Sequence, residues 1–242
     1  LVEGLILFKH QTAMWKPASP YNNLPELPPP FRETAKIFRQ TTQSRVALER
    51  LHQTVRLLPE KEIFVQIIPV LEAQASSVIE NIAAATDNLF KYLDADSQAD
   101  DAAKEVLRYR QALWKGMDSL KRCPLSLRTM TAVSRTLRGS KVSVRKLNGT
   151  CIASASSGQV IYTPPAGEAL ILEKLHNLVE FLHSPSEMDP LVKMAIAHYQ
   201  FEAIHPFSDG NGRTGRILNI LYLAESGLLS QPVLYLSRYI IR

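Results

Sequence analysis

His205-Pro206-Phe207-Ser208-Asp209-Gly210-Asn211-Gly212-Arg213-Thr214-Gly215-Arg216 packs an imidazole, a carboxylate, an amide, two guanidinium groups and three glycines into twelve residues. Glycine lets backbone approach a phosphate closely, because no Cβ intervenes. Arginine pairs bidentately with phosphate oxygens, and aspartate is a hard oxygen ligand suited to Mg²⁺. The following residues carry apolar side chains at helical spacing (Ile217, Leu218, Ile220, Leu221, Leu228) up to a stop at Gly227. A glycine-rich turn that opens a helix aims free N–H groups and the positive end of the dipole at an anion. The stretch therefore reads as a phosphate site with a base, His205, beside it.

Two plainer readings compete. Gly210 to Gly215 satisfies G-x-G-x-x-G, but that fingerprint needs a strand just before the turn. Here Leu191, Met194, Ala195, His198 and Tyr199 fall at helical offsets, and Pro190 suits a first helical turn. An ordinary interhelical turn would account for the glycines, with Asp and Asn as caps. It would not bring His205, Arg213 and Arg216 together.

The stretch resembles the signature of the Fic family, His-x-Phe-x-Asp/Glu-Gly-Asn-Gly-Arg-x-x-Arg, with every defined position filled. The resemblance implies a mainly α fold, a Fic-type helical bundle with a small β-hairpin flap over the active site. It implies adenylyl transfer, in which AMP passes from ATP to a protein hydroxyl and pyrophosphate leaves. His205 is then the general base, Asp209 the Mg²⁺ ligand, and the Asn211 amide and backbone near Gly210 and Gly212 the stabilisers of charge on the α-phosphate. Arg213 would contact the β-phosphate and Arg216 the γ-phosphate. Gly212 stands where some phosphotransferase relatives carry Lys, which favours ATP. A deadenylylase, a transferase of another phosphate-containing group, and a non-catalytic nucleotide-binding module are the alternatives.

Upstream, Ser76-x-x-x-Glu80-Asn81 reads alone as one face of an amphipathic helix. Beside the signature it resembles the family's inhibitory motif, Ser/Thr-x-x-x-Glu-Gly/Asn, and places an inhibitory helix at about 70–82. An ion pair from Glu80 to Arg216 would remove the γ-phosphate clamp. The same carboxylate could activate water to remove AMP.

The remaining chain is helical by period. Ile37, Val46, Leu48, Leu51 and Val55 mark one helix, and Pro59 ends it. A second begins near Glu60, and Pro69 starts a new segment or kinks it. Thr86-Asp87 caps a further element before the acidic stretch 94–101. Helices follow over 101–116 and 125–138, with Gly116 and Gly139 as stops, and again over 168–183 and 189–203. Between them, 141–163 holds Val142, Val144, Ile152, Val160 and Tyr162 around the turn signals Asn148-Gly149 and Ser157-Gly158. This is the expected flap, whose Val160, Ile161 and Tyr162 would align a target segment by strand addition.

Residues 1–31 form a leader and a proline-rich arm whose anchors are Tyr21, Leu24, Leu27 and Phe31. The first thirteen residues lack a Met, and Met14 reads as a natural start. Residues 32–242 form one Fic-type domain. The helix that starts at Leu236 stops unfinished, so a C-terminal truncation is expected. The 242 residues suffice for a buried core. A net charge of +5 without a basic block does not call for nucleic acid. No apolar run reaches membrane length. Cys123 and Cys151 lack metal or disulfide spacing, which fits a cytoplasmic protein. Expected partners are ATP, a protein substrate that can be the chain itself, and a second copy in a homodimer.

Overall fold

The computed structural model describes residues 16–82, 84, 85, 89, 100–147, 149–154 and 156–241. Residues 1–13, the Thr86-Asp87 cap, Phe90, Tyr92, Leu93 and most of the acidic stretch lie outside them.

In chain order the helices are α1 (Ala35–Leu57), α2 (Lys61–Ile79), α3 (Asp101–Leu120) and α4 (Leu127–Arg138). A two-stranded antiparallel hairpin follows, β1 (Ile152–Ala153) and β2 (Val160–Tyr162). Then come α5 (Glu168–His183), α6 (Pro190–Ile204), α7 (Asn211–Glu225) and a short α8 (Ser237–Ile241). Local chemistry sets most starts. The side chains of Thr34, Asp100, Ser126 and Asp189 accept the first free backbone N–H groups of α1, α3, α4 and α6. Gly139 ends α4 as expected.

α7 is the axis of the bundle. Twelve of its fifteen residues are buried, so it is enclosed on all sides, with α2, α3, α4 and α6 packed around it. Its approach to α3 depends on Gly116. A Cβ there would lie 2.5 Å from Leu221 Cδ1. Gly116 is thus no stop; α3 continues to Leu120 because this glycine admits Leu221.

Two other expectations are corrected. Pro69 does not start a new segment, since α2 runs from Lys61 to Ile79 with the proline inside it. The missing N–H costs one helical bond, and burial of Val70, Ala73 and Ala75 along the same helix offsets it. The inhibitory segment expected at 70–82 is therefore the second half of a longer helix that stops before Glu80. The flap is also shorter than 141–163. Val142 and Val144 form no strand, and only Ile152–Ala153 pairs with Val160–Tyr162. Burial of Val144 in the core takes up its side chain instead. By length and composition α2 could cross a membrane, yet it carries Glu72, Ser76 and Ser77 fully buried in the bundle.

The proline-rich arm lies over the body, as its anchors suggested. Leu24 and Leu27 are buried, and Tyr21 packs on the core and edge-on to Tyr162. Because this arm has no helix or strand to satisfy its carbonyls, side chains do so. Lys174 Nζ donates to Leu24 O (2.6 Å), Gln200 Nε2 to Pro25 O (2.8 Å) and Asn177 Nδ2 to Leu27 O (3.0 Å). The arm also reaches the flap, since Thr163 Oγ1 donates to Pro17 O at 2.6 Å and Tyr21 N donates to Thr163 O at 3.0 Å.

Candidate active site

α6 delivers His205, and α7 receives the chain six residues later. His205 is the C-cap of α6 in the left-handed region, φ 49. Such a backbone turn is uncommon for a residue with a Cβ and needs support from its surroundings. Arg145 provides it. Its Nε donates to His205 O (2.8 Å), its Nη2 to Ile204 O (3.2 Å) and to Pro165 O, and its own N–H to Pro206 O (2.9 Å). One buried guanidinium thus satisfies the open carbonyl end of α6 and fixes the flap's base to it. Burial holds the His205 imidazole below its ordinary pKa, with the Glu202 backbone carbonyl working the other way. At neutral pH the ring is therefore neutral and can accept a proton.

The loop closes on Asn211. Its Oδ1 accepts from Phe207 N (2.9 Å) and its Nδ2 donates to Phe207 O (2.8 Å), while the Phe207 ring sits fully buried. The amide expected to face the α-phosphate also shapes the turn. Gly210 takes φ 75 as the N-cap of α7, a conformation open to glycine without penalty.

Each guanidinium around this turn is held by a carboxylate. Arg213 Nη1 donates to Glu105 Oε2 at 2.7 Å. Arg216 Nη2 donates to Glu80 Oε1 at 2.8 Å and to Ser76 O at 3.0 Å, and its Nε donates to Ser76 Oγ at 2.7 Å. Arg138, which lies outside the signature, donates to Asp209 Oδ2. The structure thus joins Ser76, Glu80 and Arg216 across 140 and 136 residues of sequence. Glu80 caps the end of α2 and lies over the first turn of α7, where a Cβ on Gly212 would collide with Glu80 Oε1. An anion therefore already occupies the helix N-terminus that suits phosphate. Asn81, the last position of the upstream motif, takes φ 61 and terminates α2. Asparagine tolerates that conformation better than other residues with a side chain.

Asp209 Oδ1 also accepts from Gly210 N (2.6 Å), and about half of its side chain is exposed. Among the described residues no three His, Cys, Asp or Glu side chains converge on one point. The Asp209 carboxylate suits Mg²⁺, which is commonly held by one or two carboxylates together with substrate phosphates and water.

Besides Arg138, Arg145 and Glu105, two buried carboxylates were missed by sequence reasoning. Glu202 is 5% exposed, its Oε1 has no hydrogen-bond partner among the described residues, and it presses on Gly215 beside His198. Burial raises its pKa to about 7, against the pull of Arg216, and lowers that of His198 to about 4. A lone carboxylate within the apolar run Phe201-Glu202-Ala203-Ile204 was the available signal. One turn before Ser76, Glu72 is fully buried on α2. It accepts from Ser237 Oγ (2.5 Å), Ser237 N (2.8 Å) and Tyr109 Oη (3.3 Å), tying α8 to the helix that holds Arg216. At the flap, Tyr162 Oη donates to Ala203 O (2.9 Å), which anchors β2 to α6. Val160 and Ile161 are half-buried.

Residues 38–118 match the family described as Fic/DOC family N-terminal, and residues 124–223 match the Fic/DOC family. A protein adenylyltransferase fic-1 of Caenorhabditis briggsae is 47% identical over 68 residues, which is 27% of this chain and 13% of that protein. A probable protein adenylyltransferase of Aquifex aeolicus is 38% identical over 79 residues, covering 33% of this chain and 24% of its own length. Among solved structures, a Fic family protein from Desulfovibrio desulfuricans G20 superposes with a TM-score of 0.67 at 20% identity. That match covers 88% of this chain and 64% of the other.

Proposed function

The chain belongs to the Fic/DOC family, and on that premise we propose that it is a protein adenylyltransferase held in check by Glu80. The observation that carries this reading is the grip of Ser76 and Glu80 on Arg216 at the start of α7. A side chain offered to the γ-phosphate is withheld by an anion on another helix.

In the reaction, the neutral imidazole of His205 takes the proton of a protein hydroxyl. The hydroxyl oxygen forms a bond to the α-phosphorus, the bond from that phosphorus to the β-phosphate bridge breaks, and pyrophosphate leaves. Arg213 and Arg216 orient the β- and γ-phosphates. The N–H groups of the turn at Gly210 and Gly212 stabilise charge on the α-phosphate, while Asn211 sets the shape of that turn. Asp209 would hold Mg²⁺, which neutralises phosphate charge and aligns the triphosphate. Catalysis of this kind rests chiefly on positioning, so occupation of Arg216 by Glu80 suffices to suppress it. The edge of β2 around Val160, Ile161 and Tyr162 receives an extended segment of the target. Supporting a cytoplasmic setting, Cys123 and Cys151 are both exposed and unpaired.

Mass spectrometry after incubation with ATP and Mg²⁺ tests the reading. An added AMP on the chain itself, or on a supplied protein, is the expected result. Nucleotide binding without any covalent product, in the Glu80→Gly variant as well, would make the chain a binding module.

A further inference from the structure

We propose that Arg138 is a third phosphate ligand of this site, held in reserve by Asp209 and transferred to the nucleotide when a divalent cation takes that carboxylate. The inference rests on the triphosphate reading above and extends it to a residue outside the signature.

Arg138 is the last residue of α4, and the glycine after it fixes where it begins. Gly139 takes φ 64, a turn that glycine allows without strain, and it ends α4 directly after Arg138. From there the side chain runs along the catalytic turn. The position of a Gly210 Cβ is 3.6 Å from Arg138 Cδ and 3.9 Å from Arg213 Nη2. Two arginines from different helices thus flank one glycine at the mouth of an anion-binding helix. The guanidinium of Arg138 ends on Asp209, the single carboxylate of the catalytic stretch.

Arg138 and its partner remain 35% and 52% exposed. A pair so exposed contributes little to folding, so stability alone gives weak reason for a cation at this position. The arrangement repeats that of Arg213 with Glu105 and of Arg216 with Glu80, where a cation waits on a carboxylate beside the turn. What distinguishes Arg138 is that its partner is the residue suited to Mg²⁺. A divalent cation on Asp209 cancels the attraction that holds the guanidinium and replaces it with repulsion. The triphosphate arriving with that cation offers the guanidinium new oxygen acceptors within the reach of a flexible side chain. Arg138 should therefore strengthen binding of Mg²⁺-ATP more than binding of free ATP.

Calorimetry separates the possibilities, with the unmutated chain and Glu80→Gly each compared with and without Arg138→Ala. ATP is titrated in excess Mg²⁺ and again in EDTA, and adenosine serves as a ligand without phosphate. The expected loss for Mg²⁺-ATP is on the order of tenfold, the scale of one charge-assisted hydrogen bond. In EDTA the loss should be threefold or less by the same scale, and adenosine affinity should not change. Arg138→Lys keeps the charge without the fork and should recover part of the loss. Equal or tighter Mg²⁺-ATP binding by Arg138→Ala, with adenosine unchanged, would overturn the proposal and make Arg138 a competitor of the metal only. If Arg138→Ala weakens adenosine as well, the side chain is structural, and the proposal fails unless Arg138→Lys, folded and with normal adenosine affinity, retains the Mg²⁺-dependent difference. Absence of Mg²⁺-ATP binding by both unmutated Arg138 chains would instead refute the triphosphate reading, and the proposal with it.

Discussion

Replacing Glu80 with glycine should release Arg216 without unfolding the chain. The carboxylate makes one charged hydrogen bond to the guanidinium, at 2.8 Å, while Ser76 makes two more at 2.7 and 3.0 Å. A charged hydrogen bond contributes about 1.5–3 kcal/mol. Glu80 is more than a third exposed, and water screens the pair, so about 1–1.5 kcal/mol is the better figure. That corresponds to roughly a tenfold rise in adenylylation, including self-modification. Ser76 keeps part of the grip, so Ser76→Ala added to Glu80→Gly should raise the rate further. The fold should tolerate the glycine, because Glu80 caps α2 and lies outside the helix interior, where glycine would cost about 1 kcal/mol. The assay is incorporation of labelled AMP at matched ATP, with a melting curve on each variant. Adding Arg216→Ala should erase the gain, since no clamp remains to be freed. An unchanged or lower rate for folded Glu80→Gly refutes the inhibitory role. If the unmutated chain removes AMP from a modified protein faster than Glu80→Gly does, the carboxylate acts in hydrolysis.

His205→Ala should lower labelling by roughly 10²–10⁴-fold while calorimetric ATP affinity stays near normal; near-normal labelling would remove His205 from the chemistry. Because burial holds His205 below its ordinary 6.5, the acid limb of the pH–rate profile should fall below that value, and a limb above it would contradict this environment. Arg145→Ala strips a partner from the carbonyls of Ile204, His205 and Pro165, so activity should collapse with a loss of about 2–4 kcal/mol, measured by urea unfolding, and a loss below 1 kcal/mol would make the support of His205 dispensable. Glu202 binds a proton more tightly folded, at about 7 against an ordinary 4.5. Its contribution is therefore fully present below about pH 4.5 and lost as pH rises through 7, a difference of about 3 kcal/mol. Glu202→Gln should consequently gain stability relative to the unmutated chain between pH 5 and 8, and a gap independent of pH would rule out this titration. Val160→Pro breaks the pairing of β2 and should reduce modification of a target protein more than it reduces ATP binding; an equal fall in both would place the hairpin in the core.

Much of this protein is decided locally and can be read without coordinates. The signature from His205 to Arg216 and the stop at Gly139 depend on neighbours a few residues away, and so do the caps at Thr34, Asp100, Ser126 and Asp189, which sequence reasoning did not single out. The helical periods follow from the same short range, and a distinctive motif supplied the family. Misreadings arose where a residue's role depends on what packs against it. Gly116 looked like a terminator until Leu221 arrived from α7. Pro69 left open a new segment or a kink, and one helix, α2, continues through it. Asn211 offered an amide for phosphate, and the assembled turn adds a second role by bringing Phe207 back to both ends of it.

Tertiary structure alone determined which charges meet. Arg145 reaches α6 from 59 and 60 residues upstream, Arg138 reaches Asp209 across 71, and Glu72 reaches Ser237 across 165. Only Glu80 could be linked to Arg216 beforehand, and then through family resemblance; the two hydrogen bonds from Arg216 to Ser76 came with the structure. A side chain's type limits what it can bond to, whereas its partner and protonation depend on burial and on the packing of distant helices. Those are properties of the assembled bundle. The residue types of the candidate site were therefore legible in twelve residues, while the partners of those residues were set by the packing of α2, α4 and α6 around α7.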